Sequence, residues 1–218
     1  MKIFLSIGSG PGMGFATAER FAREGFHVVL SARNATKAQA LADQLEAQGH
    51  QAEARSVDAG DPASVAALVS AVESAYGGID VLHYNAASMR KATILNQPRD
   101  TFVSDFAINA GGALVAVQAA TPKMFARGSG SILITGGGYA LRPNPNYLSL
   151  SMGKAANRAL VYGIFESFKE KGIHVATVTV GGDVTTVKDA TAVAEHFWQL
   201  HSQPSGAWKM EVAYTPEG

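Results

Sequence analysis

The stretch Gly8-Ser9-Gly10-Pro11-Gly12-Met13-Gly14 constrains this chain more than any other. It follows an apolar run, Ile3-Phe4-Leu5-Ser6-Ile7, and precedes a helical pattern from Phe15 to Arg23. Glycines let a backbone turn sharply and approach a ligand with no Cβ in the way. The helix that follows directs its free N–H groups and positive dipole end into the loop. A pyrophosphate suits such a loop. The spacing Gly8-x-x-x-Gly12-x-Gly14, after a strand and before a helix, points to a dinucleotide site. The other reading is a turn held by glycine for its geometry alone.

Beyond the loop, apolar β-branched runs alternate with Ala-rich amphipathic stretches. Strands are expected at Phe26 to Leu30, Gln51 to Val57, Ile79 to Tyr84, Ser131 to Thr135, Ile173 to Val180 and Lys209 to Tyr214. Helices are expected from Asn34, an N-cap, to Gln48, and from Asp61, a cap followed by Pro62, to Tyr76. Further helices are expected at Arg99 to Ala126, from near Asn146 to before Gly172, and from Val187 to His201. This alternation predicts an α/β fold. A doubly wound parallel sheet of about seven strands would carry helices on both faces, in three α/β/α layers. Ligands of such sheets sit beyond the carboxyl ends of the strands, where the winding reverses. The loops after strands one, four, five and six are therefore expected to converge.

A chain of 218 residues with 47% hydrophobic and 17% charged residues is read as one globular domain, 1–218. Eighteen basic and eighteen acidic residues balance, which argues against nucleic acid and membrane surfaces as partners. The absence of cysteine excludes thiolate chemistry and fits a reducing cytoplasm. No signal peptide and no apolar run long enough to span a membrane is recognised. The six histidines lack metal-ligand spacing, so no metal is expected.

Several loop residues then occur in a telling order: the glycine loop, Val57-Asp58, Asn85-Ala86-Ala87, Asn109 in Ile108-Asn109-Ala110, and Lys154 in Gly153-Lys154-Ala155-Ala156. From Lys2 to about Tyr214 the chain resembles a short-chain dehydrogenase/reductase. The resemblance implies a Rossmann fold, a nicotinamide cofactor, hydride transfer to or from a small-molecule substrate, and a homodimer or homotetramer. It marks Gly8, Ser9, Gly12, Met13, Gly14, Arg33, Asp58, Asn85, Lys154 and Thr186 as candidate cofactor contacts. The second strand ends Ser31-Ala32-Arg33, with no carboxylate for a ribose 2′-hydroxyl. Arg33 can pair instead with a 2′-phosphate, so NADP(H) is expected ahead of NAD(H). A solvated arginine is the alternative. Asp58 reads equally as a loop residue and Asn85 as a turn residue.

The chemistry departs from the family. The reaction needs a phenol four residues before Lys154, and that position is Leu150. The serine that holds the substrate oxygen falls in Gly136-Gly137-Gly138, at about Gly137. Lys154 and Asn109, the supporting pair, are present. Tyr147 offers a substitute phenol. Its Tyr-x6-Lys spacing is similar to that of enoyl-acyl-carrier reductases of the same superfamily. Seven helical steps come to roughly 700°, within about 20° of one face, at a rise of about 10.5 Å. The catalytic set expected is therefore Lys154, Asn109 and Tyr147, with Tyr139 as a second phenol. Packing at a helix start is the plain alternative for Tyr147.

Two functions follow. One is an NADP(H)-dependent oxidoreductase, reducing a carbonyl or an activated C=C bond with an atypical proton donor. The other is a non-catalytic NADP-binding sensor or assembly protein with a degenerate site. The two long helices, apolar on more than one face, are expected to carry the homo-oligomer. The short segment after Thr186 predicts an open substrate side.

Overall fold

The apolar runs become seven parallel strands: β1 Lys2–Ile7, β2 Phe26–Ala32, β3 Ala52–Ser56, β4 Val81–Tyr84, β5 Gly130–Thr135, β6 Ile173–Val180 and β7 Glu211–Tyr214. They form one sheet in the order β3-β2-β1-β4-β5-β6-β7. The computed structural model describes residues 1–216. Glu217 and Gly218, the end of the expected domain, lie outside them.

Seven α-helices connect the strands: α1 Met13–Ala22, α2 Ala35–Ala47, α3 Pro62–Tyr76, α4 Arg99–Phe106, α5 Gly112–Arg127, α6 Leu148–Lys169 and α7 Val187–His201. Three have side-chain caps, and two of these caps are the ones the sequence expected. Asn34 accepts from the Lys37 N–H at 2.9 Å, and Asp61 accepts from the Ala63 N–H at 3.0 Å, with Pro62 at the first helical position.

Alternation along each strand feeds two apolar layers. In β1, Ile3, Leu5 and Ile7 pack with residues of α3, α5 and α6, such as Val69, Val117 and Val161. Phe4 points the other way, into a layer with Phe21, Phe26, Val193 and Phe197 from α1, β2 and α7. The Phe4 and Phe21 rings stack at 4.4 Å between centroids. Burying each such side chain contributes about 1.5–3 kcal/mol. Chain reversal between β1 and β4 opens a crevice at the carboxyl ends of the strands.

The long helix expected from Arg99 to Ala126 is not uniform. A π-helical turn, Ala107–Gly111, separates α4 from α5. Such a turn leaves backbone carbonyls without their usual partners. Here the Tyr84 hydroxyl donates to the Ile108 carbonyl at 2.5 Å, and the Asn157 amide donates to the Asn109 carbonyl at 2.8 Å. Gly112 permits the approach, because a Cβ there would lie 2.4 Å from the Tyr84 hydroxyl. The stretch Arg99–Arg127 contains an 18-residue window with a mean hydropathy of 1.3, long and apolar enough to cross a membrane by length and composition, against the sequence expectation. Its inner face, including Ala113, Ala116, Val117 and Ala120, is buried against the sheet, as in the core helix of a folded domain.

Candidate functional site

The crevice is a cleft of about 1490 Å³. The glycine loop, the end of β2, and the loops after β3, β4, β5 and β6 all contribute to its wall. Convergence follows from the winding reversal, as the sequence suggested.

Gly8 has φ +90, and its Cβ would sit 2.4 Å from the Ala86 backbone. Only glycine fits there. The N–H groups of Gly8 and Ser9 both donate to the Ser31 carbonyl, at 2.9 and 2.8 Å. The Ser9 hydroxyl donates to the Ser6 carbonyl and accepts from the Ser31 N–H, so it serves the loop rather than a ligand. Gly10 and Gly12 face open space. No side chain caps α1 at Gly12, and the Phe15 N–H donates to the Gly10 carbonyl at 2.9 Å, so the N–H groups of Met13 and Gly14 are the ones left for an anion. This cradle fits a dinucleotide pyrophosphate.

Arg33 and Ala32 line the cleft at the end of β2, and Arg33 has no ion pair among the described residues. Asp58 also lines it, and its carboxylate accepts from the Gly60 N–H at 2.9 Å. The Asn85 amide donates to the Gly8 carbonyl at 2.8 Å and its oxygen accepts from the Thr135 hydroxyl at 2.9 Å. Gly8, Ser9, Gly12, Met13, Gly14, Arg33, Asp58, Asn85 and Lys154 thus share one wall.

Lys154 is buried on α6 and donates to the Thr135 carbonyl at 2.6 Å. An ammonium has three protons to donate. Burial pushes its pKa down to about 8. Leu150, four residues before Lys154, presents an apolar side chain to the same cleft. The three glycines after β5 have packing reasons. A Cβ on Gly136 would lie 2.6 Å from the Thr177 hydroxyl, and one on Gly138 would lie 3.2 Å from Gly181 Cα. At Gly137 it would approach the Lys154 Cγ to 3.3 Å, so the lysine stem is left uncovered.

Three expected site residues are not in the wall. Tyr147 lies at the start of α6, where its N–H donates to the Asn144 carbonyl and its backbone bridges to Ala92. Its ring stacks on Tyr139 at 5.8 Å between centroids, and it is Tyr139 that lines the cleft. The spacing put Tyr147 on the helix face of Lys154, but the irregular backbone before the first turn redirects the ring. Thr186 caps α7: its hydroxyl accepts from the Asp189 N–H at 3.0 Å and donates to the Asp189 carboxylate at 2.5 Å. Asn109 uses its side chain to accept from the Ser88 N–H at 2.6 Å and to donate to the Ser88 carbonyl at 3.3 Å. It clamps the loop after β4.

His83 escaped the sequence reading. It is fully buried on β4, with Nε2 at 3.1 Å from the Thr135 hydroxyl and Nδ1 at 3.3 Å from the Ser6 hydroxyl. Thr135 gives its one proton to Asn85, so His83 Nε2 carries the ring proton and Nδ1 accepts. Burial, and then the charge of Lys154, push the His83 pKa down to about 3. The unfolded chain therefore binds an extra proton between about pH 6.5 and pH 3, and stability falls on acidification through that range. His83 is expected to cost the fold about 2 kcal/mol between pH 6.5 and pH 5. Urea unfolding at both pH values checks this, with His83→Gln giving a flatter dependence. A wild-type stability that is flat between them would refute it.

Buried Asp105 on α4 is a second feature no motif announced. It accepts from Arg90 Nε at 2.7 Å, Arg90 Nη2 at 3.2 Å, Ser88 Oγ at 2.7 Å, Ser149 Oγ at 3.1 Å and Gln97 Nε2 at 3.3 Å. Burial alone would raise its pKa, but the bonds from Arg90, Ser88 and Ser149 hold it below the usual carboxylate value. Among the described residues no cluster could hold a metal ion.

Comparison with known proteins agrees with this geometry. A family model described as short chain dehydrogenase matches residues 2–195. Oxidoreductase UcpA of Escherichia coli is 30% identical over 88% of this chain and 73% of its own. An uncharacterized oxidoreductase of Staphylococcus aureus is 28% identical over 99% of this chain and 97% of its own. Among solved structures, a short-chain dehydrogenase from Rhodopseudomonas palustris superposes with a TM-score of 0.90 at 29% identity, covering 99% of this chain and 98% of that one. A metagenomic short-chain oxidoreductase in complex with NADP shares the fold at a TM-score of 0.92 and 23% identity, covering 99% and 97%.

Proposed function

The chain belongs to the short-chain dehydrogenase family, and from that membership we propose that it is an NADP(H)-dependent oxidoreductase whose proton donor is Lys154. The observation that carries the reading is Lys154 itself, buried in the cleft wall with its ammonium on the Thr135 carbonyl and no phenol at position 150. A nicotinamide cofactor supplies the hydride when bound. The chain's own residues do the rest. The free N–H groups at the start of α1 and the open backbone at Gly10 and Gly12 would hold the pyrophosphate. Arg33, at the end of β2 in the cleft wall, would pair with the 2′-phosphate. Leu150 gives the wall beside Lys154 an apolar side chain. Lys154 gives a proton to the oxygen of a carbonyl, or to the enolate oxygen of an activated C=C bond, and regains one from solvent through the cleft.

Fluorescence titration with NADPH tests the reading first. Cofactor oxidation against aldehydes, ketones, quinones and enones tests it next. Absence of NADPH binding overturns it.

NADPH is expected to bind at least ~10-fold tighter than NADH, because the guanidinium pairs with a phosphate that NADH lacks. Arg33→Ala removes the preference. Equal affinities in wild type would sink the assignment.

A homodimer or homotetramer through α4–α5 and α6 belongs to the same reading. Val103, Leu114, Met152 and Tyr162 are 73%, 45%, 46% and 41% exposed on these helices. Exposed apolar side chains on each of these helices support an association surface there. Light scattering at micromolar concentration is expected to give a multiple of the chain mass of 22.8 kDa. A monomeric mass refutes it.

A further inference from the structure

We propose that Arg90 and Arg142 form an anion site in this cleft, so that the substrate carries a carboxylate as well as the group that is reduced. The proposal rests on the oxidoreductase reading for its substrate, but its anion site can be tested without turnover.

Arg90 is held by a fork. Its Nε and Nη2 meet the two oxygens of Asp105 at 2.7 and 3.2 Å. Three further donors, Ser88, Ser149 and Gln97, fix those oxygens from the loop after β4 and from α6. Asp105 is buried, but the Arg90 side chain is 37% exposed, and an ion pair with one exposed partner adds little stability, so the assembly is better explained by what it positions than by what it stabilises. What it positions is the Arg90 guanidinium, which lines the cleft and whose Nη1 has no partner among the described residues.

Arg142 lies on the loop after β5 and lines the same cleft, with no ion pair among the described residues. Its backbone is braced: the Arg142 N–H donates to the Gly138 carbonyl at 2.9 Å, Pro143 follows, and the Asn144 N–H donates to the Ser151 hydroxyl at 3.0 Å. The two arginine loops are joined to each other. The Ala92 N–H donates to the Asn146 carbonyl at 2.8 Å, and Ala92 bridges to Tyr147. The backbone segments that carry the two arginines are therefore tied together, and both residues line the cleft.

Met89, Ile108, Leu141 and Leu150 supply apolar wall beside them. Asp105 is saturated with donors; the other carboxylates that line the cleft are Asp58 and Asp61, after β3, and Asp183, on the loop after β6. A planar guanidinium matches a carboxylate with two parallel hydrogen bonds, which an ammonium cannot do.

The experiment uses the full chain with NADP⁺, which allows binding without reduction. Acetoacetate, levulinate and benzoylformate, and the methyl ester of each, are titrated calorimetrically. The acids are expected to bind at least ~10-fold tighter than their esters, as hydrogen bonds to charged groups imply. Arg142→Ala, at an exposed position outside the core, is expected to abolish the difference, and Arg90→Lys to reduce it. Added salt is expected to weaken the acids and leave the esters unchanged. Esters binding as tightly as acids, or a difference that survives Arg142→Ala, overturns the proposal, as does failure of every acid to bind. The acids are also titrated without cofactor. A protein that takes acids but not NADP⁺ keeps the anion site and loses the oxidoreductase reading.

Discussion

Lys154→Arg is expected to lower turnover by about 10²–10⁴-fold while leaving NADPH affinity nearly intact. Arginine keeps a positive charge beside the Thr135 carbonyl and the cofactor's side of the cleft. It does not release its proton in a protein. A lysine held at about 8 by burial is roughly tenfold more protonated than neutral at pH 7, and it can still give its proton up. Reduction needs the protonated amine, so turnover is expected to fall above about pH 8, by tenfold per unit. Lys154→Met removes charge and proton together and weakens both turnover and NADPH binding. Tyr147→Phe, at the phenol that spacing favoured, is expected to change little, because that ring stacks behind Tyr139. Stopped-flow cofactor oxidation across pH 6 to pH 10, with binding measured separately, distinguishes these cases. A Lys154→Arg protein that retains turnover, or a Tyr139→Phe protein that loses it, assigns the proton elsewhere.

The difference between Tyr147 and Lys154 shows how far the sequence could be read. A lysine in Gly153-Lys154-Ala155 needs only a regular helix to point inward, and α6 supplies one. Tyr147 sits one residue before that helix, with φ −138 and ψ 49, where periodicity no longer applies. Strand positions and helix caps were legible for the same reason: apolar alternation, Asn34 and Asp61-Pro62 act over a few residues. Thr186 had a local signal too, with Asp189 three residues on, but the family alignment drew it toward the cofactor instead.

What escaped the sequence was long-range. The π turn depends on Tyr84, 24 residues before Ile108, and on Asn157, 48 residues after Asn109. Each takes a carbonyl that an uninterrupted α-helix would use for itself. The Asp105 assembly draws Ser149 from 44 residues away, and no spacing pattern joins Ser88, Arg90, Gln97 and Asp105. The glycines after β5 were ambiguous until Thr177, Gly181 and Lys154 could be seen against them. Chemistry carried by partners on separate strands becomes legible only when the sheet order is known.

Gly8→Ala is expected to be the most damaging single-methyl change in the glycine loop. The new Cβ would meet the Ala86 nitrogen and Cα at 2.4 Å, and these are backbone atoms with no rotamer to escape into. The φ of +90 adds strain for any side chain. Together these terms amount to about 3 kcal/mol or more. At this chain length that lowers Tm by roughly 6–12 °C. Loss of stability would not be the whole effect. The Gly8 carbonyl accepts from Asn85, Asn85 accepts from Thr135, and the Thr135 carbonyl accepts from Lys154. A displaced Gly8 therefore disturbs the hydrogen bonds that hold the lysine, and NADPH affinity and turnover are expected to fall together. Gly10→Ala is the control, since a Cβ there meets nothing within 4 Å and its φ is not positive. Its Tm is expected to stay near wild type. Calorimetric melting of both variants, with NADPH titration of each at a temperature where both are folded, measures the contrast. Equal melting temperatures for the two would mean that the loop yields where the Ala86 contact says it cannot.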